Sequence, residues 1–214
     1  MANCFRYLML SYRENFLSIP LFGGVIFLLC YATGVPETGD GIFASFFLMY
    51  PAFLLIITLF SGVNLTTFAL STALSYGANR RDYFRAMLLL NLLNTLILWL
   101  SDCLFSLLPR LLGWACAGTL DKTVVSWSFP FLALLCASAG CALGELFYRH
   151  RIIAGLLGGL MGSLSVLFTT FTNILAFNAG LWGDLPWLLP VLCLAVSVLC
   201  LMRARKTTMT AVVR

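Results

Sequence analysis

Charge is scarce in this sequence: 10% of its 214 residues are Asp, Glu, Lys or Arg, against 61% hydrophobic. Soluble domains carry about 25% charged residues, and here too few polar side chains remain to cover a water-facing surface. An ordinary water-soluble fold is excluded on that ground, and lipid is the expected solvent. Histidine is nearly missing. His150 sits in a basic turn with no second histidine for a metal and no Ser or Cys placed for nucleophilic attack. No GxxxxGK[ST] loop is present to cradle ATP phosphates. Gly159-Leu160-Met161-Gly162-Ser163 lacks the GxSG order of an intramembrane serine protease. No CxxC or Cys/His ligand spacing joins the eight cysteines, which read as small, reduced packing residues; Cys116 alone falls in an expected outer loop. Internal repeats, including the inverted repeats of many secondary transporters, are not legible. The expectation is therefore a chain that is not an enzyme and holds no metal or cofactor of its own.

Long uncharged runs are what the sequence has instead. They cover 15–36, 41–79, 86–101, 123–144, 152–183 and 185–202. A helix of about 20 residues crosses the hydrocarbon core, and the runs meet that length once the third is allowed to reach 109 with Asp102 tolerated. The expected architecture is all-α: one polytopic domain over 1–214, with six spans near 17–35, 42–63, 86–109, 127–148, 152–174 and 186–202. The first run is not read as a cleaved signal, because Arg6, Arg13 and Glu14 precede it and no A-x-A-like site follows.

The basic residues fix an expected orientation. Arg6, Arg13, Arg80, Arg81, Arg85, Arg149, Arg151, Arg203, Arg205, Lys206 and Arg214 fall on one side of such a bundle, and only Arg110 and Lys122 on the other. Basic loops stay in the cytoplasm, so both termini are expected there. The outer loops are acidic, with Glu37, Asp40, Asp121 and Asp184. The net charge of +5 is thus a topology signal, and nucleic acid is not an expected partner.

Residues 1–16 place Phe5, Leu8, Met9, Tyr12 and Phe16 on one helical face and Asn3, Arg6, Arg13 and Glu14 on another. That pattern predicts a short interfacial helix on the inner leaflet. The second run, at 39 residues, would make a helix of about 58 Å, so residues 64–77 either extend the span into the cytoplasm or break it. Asn173, Asn178 and Gly180 place the end of span five near 174, with a short re-entrant or interfacial segment before Trp182 and Trp187.

Small residues cluster in spans four and five. Gly140/Gly144, Gly155/Gly159 and Gly158/Gly162 are each four apart, a spacing that lets helix backbones approach closely. Packing of these two helices on each other is the expectation, and a subunit interface the alternative. Asp102 is a carboxylate inside the third span, well away from its start. Its ordinary reading is a residue that snorkels or pairs near the outer leaflet, and its sharper reading a substrate or proton role. Glu145 and Arg149 are spaced for a structural pair.

The most informative stretch is Ser75-Tyr76-Gly77-Ala78-Asn79-Arg80-Arg81-Asp82-Tyr83-Phe84-Arg85. Gly77 can end one helix and Asn79 can cap the next. A topology loop needs arginines only. The aromatic pair Tyr83 and Phe84 beside Arg81 and Asp82 predicts a short helix over 78–86 that docks into a protein groove.

The segment ALSYGANRRDYFRAMLLLNLL resembles the loop after the second helix in bacterial ABC-exporter permeases for drugs, lantibiotics and other peptides. That loop reads Ser-x-Gly-x-x-Arg-Arg/Lys-x-Phe/Tyr-Phe, and Gly77, Arg80, Arg81, Tyr83 and Phe84 match it. The six spans, the amphipathic N-terminus, the cytoplasmic ends and the interrupted end of span five are similar too, although the loop after span five is small. The resemblance implies that 78–86 is a coupling helix, with Gly77, Asn79, Arg80, Arg81, Asp82, Tyr83, Phe84 and Arg85 forming the dock for a separate ATPase subunit. ATP and magnesium would be held by that ATPase. It also implies a second permease subunit, identical or paired, in a bacterial cytoplasmic membrane, and a substrate path between the two lined by residues such as Asn64, Thr66, Thr67 and Asn173. A lipophilic drug, an amphipathic peptide or a lipid would suit that path. The alternatives are a six-helix substrate-binding subunit of a vitamin importer and a non-transporting immunity or structural membrane protein.

Overall fold

The computed structural model describes residues 2–34, 37, 50–114, 129–149, 156, 159 and 188–210. These are all-helical, with no strand among them. The long helices are α1 (Ala2–Ala32), α2 (Tyr50–Ser75), α3 (Arg80–Leu111), α4 (Phe129–Arg149) and α5 (Leu188–Thr210). α2 packs along α4, α4 against α5, and α1 against α3.

Three helices, Asn3–Ala32, Tyr50–Ser75 and Arg80–Leu111, are long and apolar enough to cross a membrane, and Phe129–Gly144 is apolar but shorter. Their outward faces suit lipid. Leu92, Leu96, Leu100, Leu104 and Leu107 recur every three or four residues along α3 and are exposed, a stripe that water would not tolerate at this length. Apart from Leu156 and Gly159, the fifth expected span, with Trp182, Trp187, Asn173 and any re-entrant segment, lies outside the described residues, as do His150 and Cys116.

The core has two layers. One gathers Ile19, Tyr50, Leu54, Leu98, Phe105, Trp114 and Phe129. The other gathers Leu8, Tyr12, Leu65, Tyr83, Met87, Leu90, Cys141 and Ala204.

Two expected elements take a different form. Residues 1–16 are not a separate interfacial helix, because α1 runs unbroken from Ala2 to Ala32. The amphipathic pattern is real, but its apolar face meets protein: Leu8 and Tyr12 are buried in the second core layer, with Phe5, Met9 and Phe16 packed against it, while Asn3, Arg6, Arg13 and Glu14 are exposed. Nor do residues 78–86 form a short helix of their own; from Arg80 they are the opening turns of α3. Nothing ends the helix between Arg85 and the apolar run, since neither Gly nor Pro interrupts it before Pro109.

The glycines of α4 also face a different partner. A methyl at Gly140 would strike Leu59 O, one at Gly144 would strike Thr66 Oγ1, and one at Gly62 would strike Ala137 O. The small-residue seam of α4 therefore joins it to α2, and its expected packing on span five lies outside the described residues. Gly155, Gly158 and Gly162 lie outside the described residues.

Candidate functional site

The turn between α2 and α3 is closed at both ends. Gly77 has φ +79°, a left-handed conformation that glycine adopts without penalty. Its N–H donates to Leu74 O at 3.0 Å, and the Ala78 N–H donates to Ala73 O at 3.0 Å. This paired pattern satisfies the last carbonyls of α2. Two residues later Asn79, extended at φ −73° and ψ 129°, accepts from the Arg81 N–H at 3.1 Å and caps α3. Gly77 and Asn79 thus take the stop and start roles that their identities predict.

Behind the turn α2 widens into a π-helical segment, Leu65–Ala69. The local cause is visible in its hydroxyls. Thr66 Oγ1 donates to Gly62 O at 3.3 Å, and Thr67 Oγ1 donates to Val63 O at 2.8 Å. Both compete with backbone N–H groups for carbonyls four residues back, which loosens a helix. Residues 64–77 therefore extend span two and change its pitch without ending it. Of the expected path residues, Thr66 is buried against Gly144, Thr67 is half-buried and Asn64 is exposed.

Two tyrosines bracket this segment. Tyr12 of α1 donates its hydroxyl to Ser61 O at 3.0 Å, and Tyr83 of α3 donates to Leu65 O at 2.6 Å. In lipid, backbone carbonyls must find donors inside the protein. Tyr83 is 0% exposed and so is not the surface anchor that the sequence predicts. Its partner in that expectation, Phe84, is half-buried against the same core layer. The signal for this was present: Tyr83, Ala86, Met87 and Leu90 follow the i, i+3, i+4, i+7 spacing of one inward helical face.

What the turn does expose is a different set. Tyr76 is 81% exposed, and Gly77, Asn79, Arg81 and Arg85 are exposed with it, while Asp82 is half-buried. Arg80 points elsewhere: its Nη1 donates to Met209 O at 2.8 Å, at the end of α5. A guanidinium at the carbonyl end of a helix meets the negative pole of its dipole. The turn is consequently tied to α2 through Tyr83 and to α5 through Arg80.

A second polar feature lies in the other core layer. Asp102 is 1% exposed, and neither carboxyl oxygen has a hydrogen-bond partner. It neither snorkels nor forms a pair among the described residues. The side chains of Glu145 and Arg149 are not described. Among the described residues no group of three His, Cys, Asp or Glu side chains could hold a metal.

No protein family model, curated protein or solved structure matches this chain.

Proposed function

We propose that this chain is the membrane permease subunit of an ATP-driven exporter, working with a second permease subunit and a separate ATPase in a bacterial cytoplasmic membrane. In this reading the chain crosses the bilayer six times with both ends in the cytoplasm. The observation that carries it is the α2–α3 turn, which is capped at both ends, exposed at its tip and bonded to three helices. A partner that moved this turn would move α2, α3 and α5 together, as coupling to ATP hydrolysis requires. Its composition supports the same reading. Arg81 lies in the first turn of α3, where the helix dipole favours acids. Helix stability alone would not select it there, but orientation in the membrane and an acidic partner surface both would.

The dock is then Tyr76, Gly77, Asn79, Arg81 and Arg85, with Asp82 at its edge. Tyr83, Phe84 and Arg80 support it from behind. The substrate path would run along the π-helical stretch of α2, near Asn64 and Thr67. A lipophilic or amphipathic peptide, drug or lipid fits the apolar surroundings.

Affinity purification from native membranes tests this. The intact chain should retain a subunit carrying ATPase motifs, identified by mass spectrometry. Tyr76→Ala with Arg81→Glu and Arg85→Glu should release it while leaving thermal stability unchanged. Full retention in that triple variant overturns the docking assignment.

A further inference from the structure

Asp102 stands apart from the turn and from any role assigned above. It lies 22 positions after the start of α3 at Arg80 and nine before its end at Leu111, about 33 Å and 14 Å along the axis. A helix of 32 residues is about 48 Å long against a hydrocarbon core of about 30 Å. Centred in the membrane, it leaves roughly 9 Å outside each face, so Asp102 sits within the hydrocarbon layer.

Two hydroxyls beside it are already engaged. Tyr50 donates to Ile19 O at 3.2 Å. Ser101 and Tyr50 share a hydrogen bond of 3.0 Å. Since the one proton of Tyr50 is committed to Ile19, Ser101 is the donor in that pair, and it too has only one. Both donors are spent, and both oxygens of Asp102 are left without one. Among the described residues, the titratable groups in electrostatic reach are Tyr50 on α2 and the adjacent Cys103, neither of them a cation. An ionised carboxylate placed so would be dry and uncompensated, an arrangement that proteins avoid.

Buried polar side chains lie along this face of α3, interrupted by the buried Leu98 between Thr95 and Ser101. Asn91, Asn94, Thr95 and Ser101 are all buried. At 100° per residue they share with Asp102 one third of the circumference of α3, facing protein and opposite the exposed leucines. Polar residues collected in this way inside a membrane mark routes for protons or ions.

We propose that Asp102 is a proton-binding site within the membrane, holding a proton in this closed packing, and that the polar side chains from Asn91 to Ser101 are the approach along which that proton exchanges. The proposal does not depend on the permease reading, because a carboxyl proton can be observed without a substrate or an ATPase.

Infrared spectroscopy of the purified full chain in lipid nanodiscs tests it. A protonated-carboxyl C=O band should be present, shift in D2O and be lost in Asp102→Asn, while Asp82→Asn leaves it unchanged. Asn94→Leu should slow its shift in D2O at least several-fold. An unaltered band in Asp102→Asn overturns the site, and an unaltered exchange rate in Asn94→Leu overturns the approach. Should Asp102→Asn not fold, labelling of the wild-type chain with dicyclohexylcarbodiimide decides: this apolar reagent attacks protonated carboxyls. An adduct at Asp102 supports the site, and its absence overturns it.

Discussion

The hydroxyl of Tyr83 reaches across from α3 to the carbonyl of Leu65 at 2.6 Å, where α2 changes from α- to π-helical winding. This contact turns an aromatic next to the α2–α3 turn into a strut between two long apolar helices. Removing only the hydroxyl, by Tyr83→Phe, leaves a buried carbonyl without its donor and should cost about 1–3 kcal/mol. At roughly 2–4 °C per kcal/mol for a chain of this size, thermal unfolding in detergent should show the loss. Tyr76→Phe, at the exposed tip, should leave the midpoint in place.

The glycine seam between α2 and α4 makes a sharper prediction. Ala at Gly140 would place a methyl against Leu59 O, and Ala at Gly62 would place one against Ala137 O. Backbone cannot swing aside as a side chain does, so each substitution should cost about 1–3 kcal/mol or more through overpacking. Gly24→Ala is the control, since no described residue stands within 4 Å of its added methyl. Monodisperse elution and thermal stability should fall for the first two variants and hold for the third.

The capping of α3 can be removed one bond at a time. Asn79→Ala deletes the acceptor for the Arg81 N–H and should cost about 1 kcal/mol, whereas Asn79→Asp should retain most of it. Gly77→Ala forces a Cβ into the left-handed region, at about 1–2 kcal/mol. If the turn is also the dock, both variants should weaken ATPase retention more than their small stability losses explain.

Arg80 fastens the end of α5 through Met209 O. Arg80→Gln should free that end while leaving the α1–α4 packing intact. Hydrogen exchange should then speed up over residues 203–210 and stay unchanged around Leu90 and Leu98. Uniform protection across both regions would count against the tie.

Much of the architecture was legible because it depends on local pattern. Gly77 and Asn79 punctuate the chain by their own conformational preferences, and the apolar runs over 86–109 and 127–148 closely match α3 and α4. The N-terminal amphipathic face was readable too, but its destination was not. The same stripe of Phe5, Leu8 and Tyr12 suits a lipid surface or a protein groove, and periodicity does not distinguish them. The π-helical segment was only half legible: the Thr and Ser content of 64–77 marked something unusual, yet hydroxyl competition for specific carbonyls appears only with coordinates.

By itself the sequence determined that long runs are apolar enough to cross a membrane, that the secondary structure is helical, and where the chain turns between α2 and α3. Composition and the stereochemistry of single residues suffice for that. Tertiary structure alone decided that Tyr83 is a strut and Tyr76 the exposed aromatic, that the glycines of α4 face α2, and that Asp102 is enclosed without a partner. Each depends on which atoms from distant parts of the chain meet. The scarcity of charge gives the last of these its weight: few carboxylates are present, and this one is buried.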